Sequence, residues 1–400
     1  MNTKKGNKGI RYRGYGFIDF HIPYALMPYA LYLMPFPLNH SKYKTFTTIK
    51  RARIYIIIIL CFSLYSLNAQ IGGSYTYAFL NLPNCARIDA LGGNANAIKD
   101  NDLSLCLVNP SLLTPKLSNQ VALSFVDYYS DINYGFVSYA QDIKKVGLFD
   151  ASMQFINYGK FTNTDATGIT YGTFTAGEYA LNLGWGRQLD SLFSIGANLK
   201  NIYSHLDIYT SYGIAVDVAG TYSSAKRQFT ASLLALNVGR QLKYFTPDHN
   251  ETLPFEMQFG LSKKLSHTPF RLSLVVRHLE KWDLTYTDPN HPEPTVDALT
   301  GDPIPPKKLG KFLDKGMRHV VVGGELLPSK NFSLRIGFNY QRRKELKVDS
   351  RLSTVGISWG FGFRIKQFNF SFARSRYHLA GSPNTITIAT NISDFIHISK

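Results

Sequence analysis

The sequence predicts a fourteen-stranded antiparallel transmembrane β-barrel with a small N-terminal plug, on the strength of three features. From about residue 120 onward the dominant hydrophobic period is two, not 3.6. The alternating segments run about 9 to 13 residues, whereas strands in soluble proteins average about 5 or 6. The links between segments are tiny at one end and long at the other. That asymmetry belongs to outer-membrane barrels, whose short turns face the periplasm.

Taken in order, the chain opens with residues 1–49. Their run "HIPYALMPYALYLMPFPLNH" has too many prolines for one clean helix. This stretch is expected to be absent from the mature protein, with translation starting downstream, near Met34. Residues 50–69, "KRARIYIIIILCFSLYSLNA", read as a secretory signal peptide. Lys50, Arg51 and Arg53 form the basic end, Ile54 to Leu67 the apolar core, and Asn68-Ala69 the small-residue cleavage site. The alternative is an internal anchor helix, for which the apolar core is short. Cys61 lacks the preceding small residue that lipid attachment needs.

Export changes the meaning of the composition. The whole chain carries a formal charge of +17. Ten Lys/Arg against Asp19 lie before residue 70, so the mature chain keeps about +8, dispersed. Nucleic-acid binding loses its main support. Charged residues make up only 18%, while Phe and Tyr number 27 and 25, a balance suited to a lipid-facing surface. Cys85 and Cys106 enter an oxidising compartment, where they either pair or sit apart as small buried residues.

Residues 120–400 form the expected barrel. Its segments span 120–128, 132–142, 147–158, 177–188, 192–204, 211–223, 227–240, 253–264, 270–281, 316–327, 331–343, 353–365, 367–377 and 385–394. In "SYGIAVDVAGTYS", Tyr212, Ile214, Val216, Val218 and Tyr222 share one face, opposed by Gly213, Ala215, Asp217, Ala219 and Thr221. "NFSLRIGFNYQ" repeats the scheme, with Phe332, Leu334, Ile336, Phe338 and Tyr340 opposed to Ser333, Arg335, Gly337, Asn339 and Gln341. Tyr128, Tyr129, Tyr158, Tyr203, Tyr209, Tyr222 and Tyr340, near segment ends, fit an interfacial girdle. Long links are expected at 159–176, 241–252, 282–315 and 344–352.

Gly356-Ile357-Ser358-Trp359-Gly360 matches G-x-S-x-G. A nucleophile elbow needs a sharp strand-to-helix turn, and Ser358 instead lies in unbroken alternation, facing the lumen. No H-E-x-x-H, C-x-x-C or P-loop pattern occurs. His205, His249, His267, His278 and His291 sit mainly in or beside connections. The inward acids Asp217 and Glu325 are expected to pair with Arg335 or similar neighbours. No catalytic, cofactor or metal residue is expected.

Residues 70–119 do not alternate. Gly92-Gly93, Asp100-Asn101-Asp102 and Asn109-Pro110 supply turn chemistry, consistent with a compact hatch lodged in the lumen. Ala86-Arg87, Ala90-Leu91-Gly92-Gly93, Asp100, Asp102, Asn109-Pro110 and Leu112-Leu113 resemble the hatch of the FadL/PorV-like outer-membrane family. The preceding "GGSYTYAFLNLP" is similar to the start of PorQ-type barrels of the type IX secretion system in Bacteroidetes. The chain departs from that pattern at Cys85, Asp89 and Cys106, and it ends in "FIHISK", leaving Phe395 as the candidate assembly aromatic.

The resemblance implies a non-enzymatic component of the surface attachment complex. It would anchor a PorZ-like surface protein beside a PorU-like sortase and a PorV-like barrel, in contact with outer-membrane lipid and lipopolysaccharide. It also marks hatch residues Ala86, Arg87, Leu91, Gly92, Gly93, Asp102, Asn109 and Pro110. The Pro-rich long link offers Trp282, Tyr286, Pro292, Pro303 and Pro305 as candidate partner contacts. The alternative function is FadL-like transport of hydrophobic solutes, which needs an apolar pocket and a lateral opening.

Overall fold

A computed structural model describes residues 75–247, 250–285, 308–347, 354–378 and 381–396. Fourteen strands form one closed antiparallel barrel. They are β1 Gln120–Asp127, β2 Asn133–Ile143, β3 Gly147–Thr164, β4 Thr170–Gln188, β5 Phe193–Leu206, β6 Tyr209–Ser224, β7 Phe229–Lys243, β8 Glu256–Lys264, β9 Phe270–Val276, β10 Val320–Leu326, β11 Phe332–Asn339, β12 Ile357–Ile365, β13 Phe368–Ser375 and β14 Asn384–Asn391. Each pairs with its sequence neighbour, and β1 closes on β14 from Gln120↔Asn391 to Asp127↔Asn384. Short helices are α1 Ala86–Ala90, α2 Lys308–Arg318, α3 Tyr340–Leu346 and α4 Ser393–Ile396. Among the described residues no helix is long and apolar enough to cross a membrane. The strands do the crossing.

Side-chain polarity is reversed relative to a soluble protein. Leu123, Phe125, Leu181, Val218, Leu233, Ile336 and Trp359 are exposed on the outside, whereas Ser124, Gln154, Asn182, Asn198, Gln258 and Ser358 are buried inside. In hydrocarbon that is the stable arrangement, because the closed ladder satisfies the backbone and apolar side chains meet lipid. Links 144–146, 189–192, 225–228, 265–269, 327–331 and 366–367 lie at one end, together with the start of β1 and the end of β14. The long links lie at the other, outer end.

Four segments differ from expectation, each for a local reason. Residues 159–176, expected to be a loop, largely continue β3 and β4. Neither outer neighbour follows them, since β2 stops at Asn133↔Asn157 and β5 at Ala176↔Leu206. Apart from the Asp207 N–H bond to Thr175 O at its base (3.3 Å), Lys160–Thr175 is therefore a two-stranded ribbon paired with itself, reaching about 17 Å past the rim at ~3.4 Å per residue. The strand expected over 270–281 stops at Val276, just before His278 takes φ 52°. Residues 316–318 belong to α2, whose apolar residues recur at helical spacing, so β10 begins only at Val320. At Asn339, β11 gives way to α3, because its side chain accepts from Arg342 N–H (3.0 Å) and caps the helix. Cys85 and Cys106 are buried and unbridged.

The ribbon's tip is ordered by one carboxylate. Asp165 accepts from the Thr167 hydroxyl (2.7 Å), the Thr167 and Ile169 amides (both 2.9 Å) and the Tyr171 hydroxyl (3.0 Å). The Thr167 hydroxyl, then the Ile169 amide, hold its carboxyl down to about 2. That value lies below the ~3.9 of an unfolded Asp. The turn's extra stability is therefore present above about pH 4 and lost as pH falls through about 2. In a carboxyl NMR titration Asp165 should titrate near the lower value; a midpoint near 4 would mean the turn is open in solution.

Candidate functional site

The lumen is filled by residues 75–117, and the plug runs its length. It enters at the outer end, where Tyr75 bridges Thr252 and Thr76 N–H donates to Thr252 O (3.1 Å). The buried ring of Tyr77 packs with Phe79, Val126, Tyr134 and Ile156, and its hydroxyl meets Ser211. The chain then turns through α1 and the 3-10 turns Leu103–Leu105, Pro110–Leu112 and Pro115–Leu117, and joins β1 at the short-turn end.

Polar contacts hold it at each level, because the inward face of the wall is polar. Ala86 N–H donates to the Thr387 hydroxyl (2.9 Å). Asp89 accepts from Thr385 (2.9 Å) and from Ser375. Leu91 is fully buried. Gly92 and Gly93, at φ 95° and 86°, end α1 in the left-handed region open to glycine. Asp102 caps Leu103–Leu105 through Ser104 N–H, and Asn109 caps Pro110–Leu112 through Ser111 N–H. The Asn109 amide also donates to Asn96 O (2.6 Å) and Thr221 (3.2 Å), joining plug to plug and plug to wall. Pro110 opens its turn at the position that needs no N–H donor.

Ser358 serves as a wall clamp for the plug. Its hydroxyl accepts from Gly92 N–H (2.9 Å) and donates to Ala90 O (3.1 Å). Plug and wall also touch backbone to backbone where the wall is glycine. A Cβ on Gly337 would lie 2.0 Å from Gly92 N, and one on Gly196 would lie 2.3 Å from the Pro110 carbonyl carbon.

Charge concentrates at one place. Arg87 pairs with Asp100 (2.7 Å), Asp102 (3.0 Å) and Glu325 (2.9 Å). On the wall Arg271, Glu325 and Arg335 lie directly opposite one another on β9, β10 and β11. Arg271 reaches Asp100 (2.9 Å) and Glu325 (2.8 Å), while Arg335 reaches Glu325 (3.0 Å). Three guanidiniums thus meet three carboxylates, a neutral set spanning plug and wall. A second buried pair, Lys200–Asp217 (2.8 Å), lies on β5 and β6. Glu325 does pair with Arg335, but Asp217 takes Lys200. Sequence reasoning missed Glu325 as the wall partner of Arg87 and Arg271 as a partner of Asp100 and Glu325. Their signal was three inward charges at matching depths on consecutive strands.

At the short-turn end a polar cavity of about 450 Å³ lies beneath this cluster, lined by Arg87, Asp102, Lys116, Arg335, Arg364 and Asn369 among others. At the outer end the wall has a seam. β7 pairs with β8 only over Phe229–Leu236, and Asn237 (φ 57°) begins a stretch to Lys243 whose strand ladder, among the described residues, runs to β6 alone. The seam is crossed by Asn237 to Pro254 O (3.0 Å) and Glu251 N–H to Gln241 (3.1 Å). Of the long-link candidates, Trp282 stacks on His319 and touches Phe312. Tyr286, Pro292, Pro303 and Pro305 lie outside the described residues, as do His249 and His291.

These features define an outer-membrane-type barrel sealed by its own N-terminal segment. No family model and no curated protein matches the chain. Among solved structures it is similar to the toluene transporter TodX of Pseudomonas putida (12% identity, 77% of this chain and 97% of that one, TM-score 0.43). It is also similar to the monoaromatic hydrocarbon channel CymD (12%, 77% and 97%, 0.44) and to a FadL homologue of Pseudomonas aeruginosa (10%, 77% and 98%, 0.44). The strand ladder itself, rather than these likenesses, carries the fold.

Two expectations follow. Glu325→Gln leaves Arg87, Arg271 and Arg335 with excess buried positive charge and should cost about 3–5 kcal/mol. It should lower the barrel's heat-modifiability midpoint and open the plug to trypsin after Lys99, while Lys144→Gln on an exposed turn should shift stability by less than about 0.5 kcal/mol. Gly337→Ala should unseat the plug and cost at least about 1–3 kcal/mol. Gly220→Ala faces outward with nothing within 4 Å and should be neutral in the same denaturation series.

Proposed function

We propose that this protein is a non-enzymatic outer-membrane component of the type IX secretion attachment complex, PorQ-like in role. It anchors a PorZ-like surface protein beside a PorU-like sortase and a PorV-like barrel, and so supports maturation of cargo and its attachment to lipopolysaccharide. The supporting observation is the bolted plug. The hatch residues that carry the resemblance hold the plug to the wall along the lumen, which leaves the outer rim as the working surface. From that rim rises the ribbon Lys160–Thr175, with Phe161, Ile169 and Tyr171 exposed and both edges unpaired beyond the barrel. Unpaired edges invite strand addition by a partner. A two-stranded ribbon is also only marginally stable alone in water. The ribbon is thus the contact surface we assign to the surface protein.

One observation favours a second reading, transport of a hydrophobic solute. The β7–β8 seam breaks the outer half of the wall, and the Tyr75–Thr76 stretch is bonded to Thr252 in the link beside it. In that reading the seam is a lateral exit and Tyr75–Thr76 its latch.

Pull-down of the tagged full-length protein from detergent-solubilised outer membrane separates the two. A surface protein should co-elute and be lost when residues 161–174 are replaced by Asn-Gly, with heat-modifiable barrel mobility unchanged. Deletion of the gene should release that protein and unattached cargo from the cell surface while translocation continues. Recovery of fatty-acid-like ligands without a protein partner, or identical surface attachment in parent and deletion strains, would overturn the secretion role.

A further inference from the structure

The helix α2 is built inside out for a loop in water. Leu309, Phe312, Leu313, Gly316 and Met317 share one face at i, i+3, i+4, i+7 and i+8. Leu309, Phe312, Leu313 and Met317 are exposed, Leu309 by 72%. The opposite, charged face is the one held by neighbours. Asp314 accepts from Tyr340 (2.7 Å), Arg318 (2.9 Å) and Lys344 (3.1 Å), and Lys315 pairs with Asp283. A soluble surface helix does the reverse, burying its apolar stripe and hydrating its charges.

What covers the stripe follows from where it is fixed. His319, between α2 and β10, accepts from Arg277 N–H at its backbone carbonyl (2.9 Å), and its ring lies between Arg277 O and Trp282 O, pinning the helix to the end of β9. The outward row of β9, Phe270, Leu272, Leu274 and Val276, is lipid-facing wall. Leu279, beside Met257 of β8, and then Trp282 extend that row upward, both about half exposed. Trp282 touches Phe312 (5.4 Å between centroids) and stacks on His319 (5.7 Å). The apolar surface is therefore continuous from the barrel wall through Trp282 to the α2 stripe. Above it, Lys311, Lys315, Arg318 and Lys344 outnumber Asp283 and Asp314, the charge balance that suits phosphate-bearing headgroups. Tryptophan at this boundary matches the interfacial aromatic girdle.

We propose that α2 is an in-plane membrane helix, seated in the outer leaflet with Leu309, Phe312, Leu313, Met317 and Trp282 among the acyl chains, about 5–10 Å below the headgroup boundary. Its basic face meets lipid phosphates. The assignment holds under either proposed function, since it concerns the barrel's seat in lipid rather than its partner.

The test uses the full chain with Trp185→Phe and Trp359→Phe, leaving Trp282 as the sole tryptophan, reconstituted in phospholipid vesicles. Lipids brominated near the headgroup end of the acyl chains should reduce Trp282 emission at least about twofold. Lipids brominated near the methyl end should reduce it less, and aqueous acrylamide should have little effect. If acrylamide quenches strongly and brominated lipid does not, the stripe stands in water awaiting a protein, and the proposal fails. Should the double replacement not fold, Phe312→Cys in a Cys61→Ser background carrying a bimane label gives the same readout on the stripe itself, with Cys85 and Cys106 buried and out of the label's reach.

Discussion

Everything in this structure depends on the requirement that a backbone in hydrocarbon satisfy its own hydrogen bonds. A sheet can do so only by closing, and β1 does close on β14 along its whole length. Closure forces the alternation. Every second residue faces outward and is mostly apolar, and the remainder face a lumen with room for polar groups. A narrow lumen lined largely by Ser, Thr, Asn, Gln and Gly is in turn what allows an N-terminal segment to be held there by hydrogen bonds, beside apolar contacts with wall residues such as Val126, Phe136 and Leu148.

The ion cluster shows how that holding is made specific. Burying Arg87 is costly unless carboxylates surround it, and burying Glu325 is costly unless guanidiniums do. With three of each, the plug's charges find their complement only when Arg87, Asp100 and Asp102 sit beside Arg271, Glu325 and Arg335. A plug shifted by one level would strand buried charge on both sides. The glycine contacts at Gly196 and Gly337 act in the same direction through shape, since the plug backbone fits only where the wall lacks a Cβ.

Much of this was legible in the chain. Period-two alternation gave the fourteen strands and most of their inward faces, because lipid enforces the pattern over the paired wall. The lopsided links distinguished the two rims, and the turn residues of the plug marked the neighbourhood of its caps at Asp102 and Asn109. What was hidden depends on contacts that are not local. Lys160–Thr175 is glycine-marked and polar at its tip, so it reads as a loop, yet Phe161 stacked on Phe174 and the Asp165 turn hold it as a ribbon. Asn237 looks like an ordinary inward residue, and nothing beside it in sequence announces φ 57° or the end of β7–β8 pairing. The wall partner of Arg87, Glu325, lies 238 residues away on β10. Ser358 is the converse case: a local motif suggested chemistry, its alternating neighbours placed it facing the lumen, and there it meets the plug.

The outer end presents two apolar surfaces that look alike by exposure and differ in origin. The ribbon stands beyond the rim with no flanking strand, so its Phe161, Ile169 and Tyr171 are separated from the lipid-facing wall by its own length. The α2 stripe is the opposite, joined to the wall through Leu279 and Trp282 and clamped by His319 at the rim. Distance from the hydrocarbon therefore assigns the two surfaces to different neighbours. A surface that continues the belt is completed by lipid, while one that leaves the belt is completed by whatever meets the cell from outside. The same reasoning accounts for the charges beside each. Basic residues crowd the surface next to headgroup phosphates, whereas the ribbon's tip carries a carboxylate used only to shape its own turn.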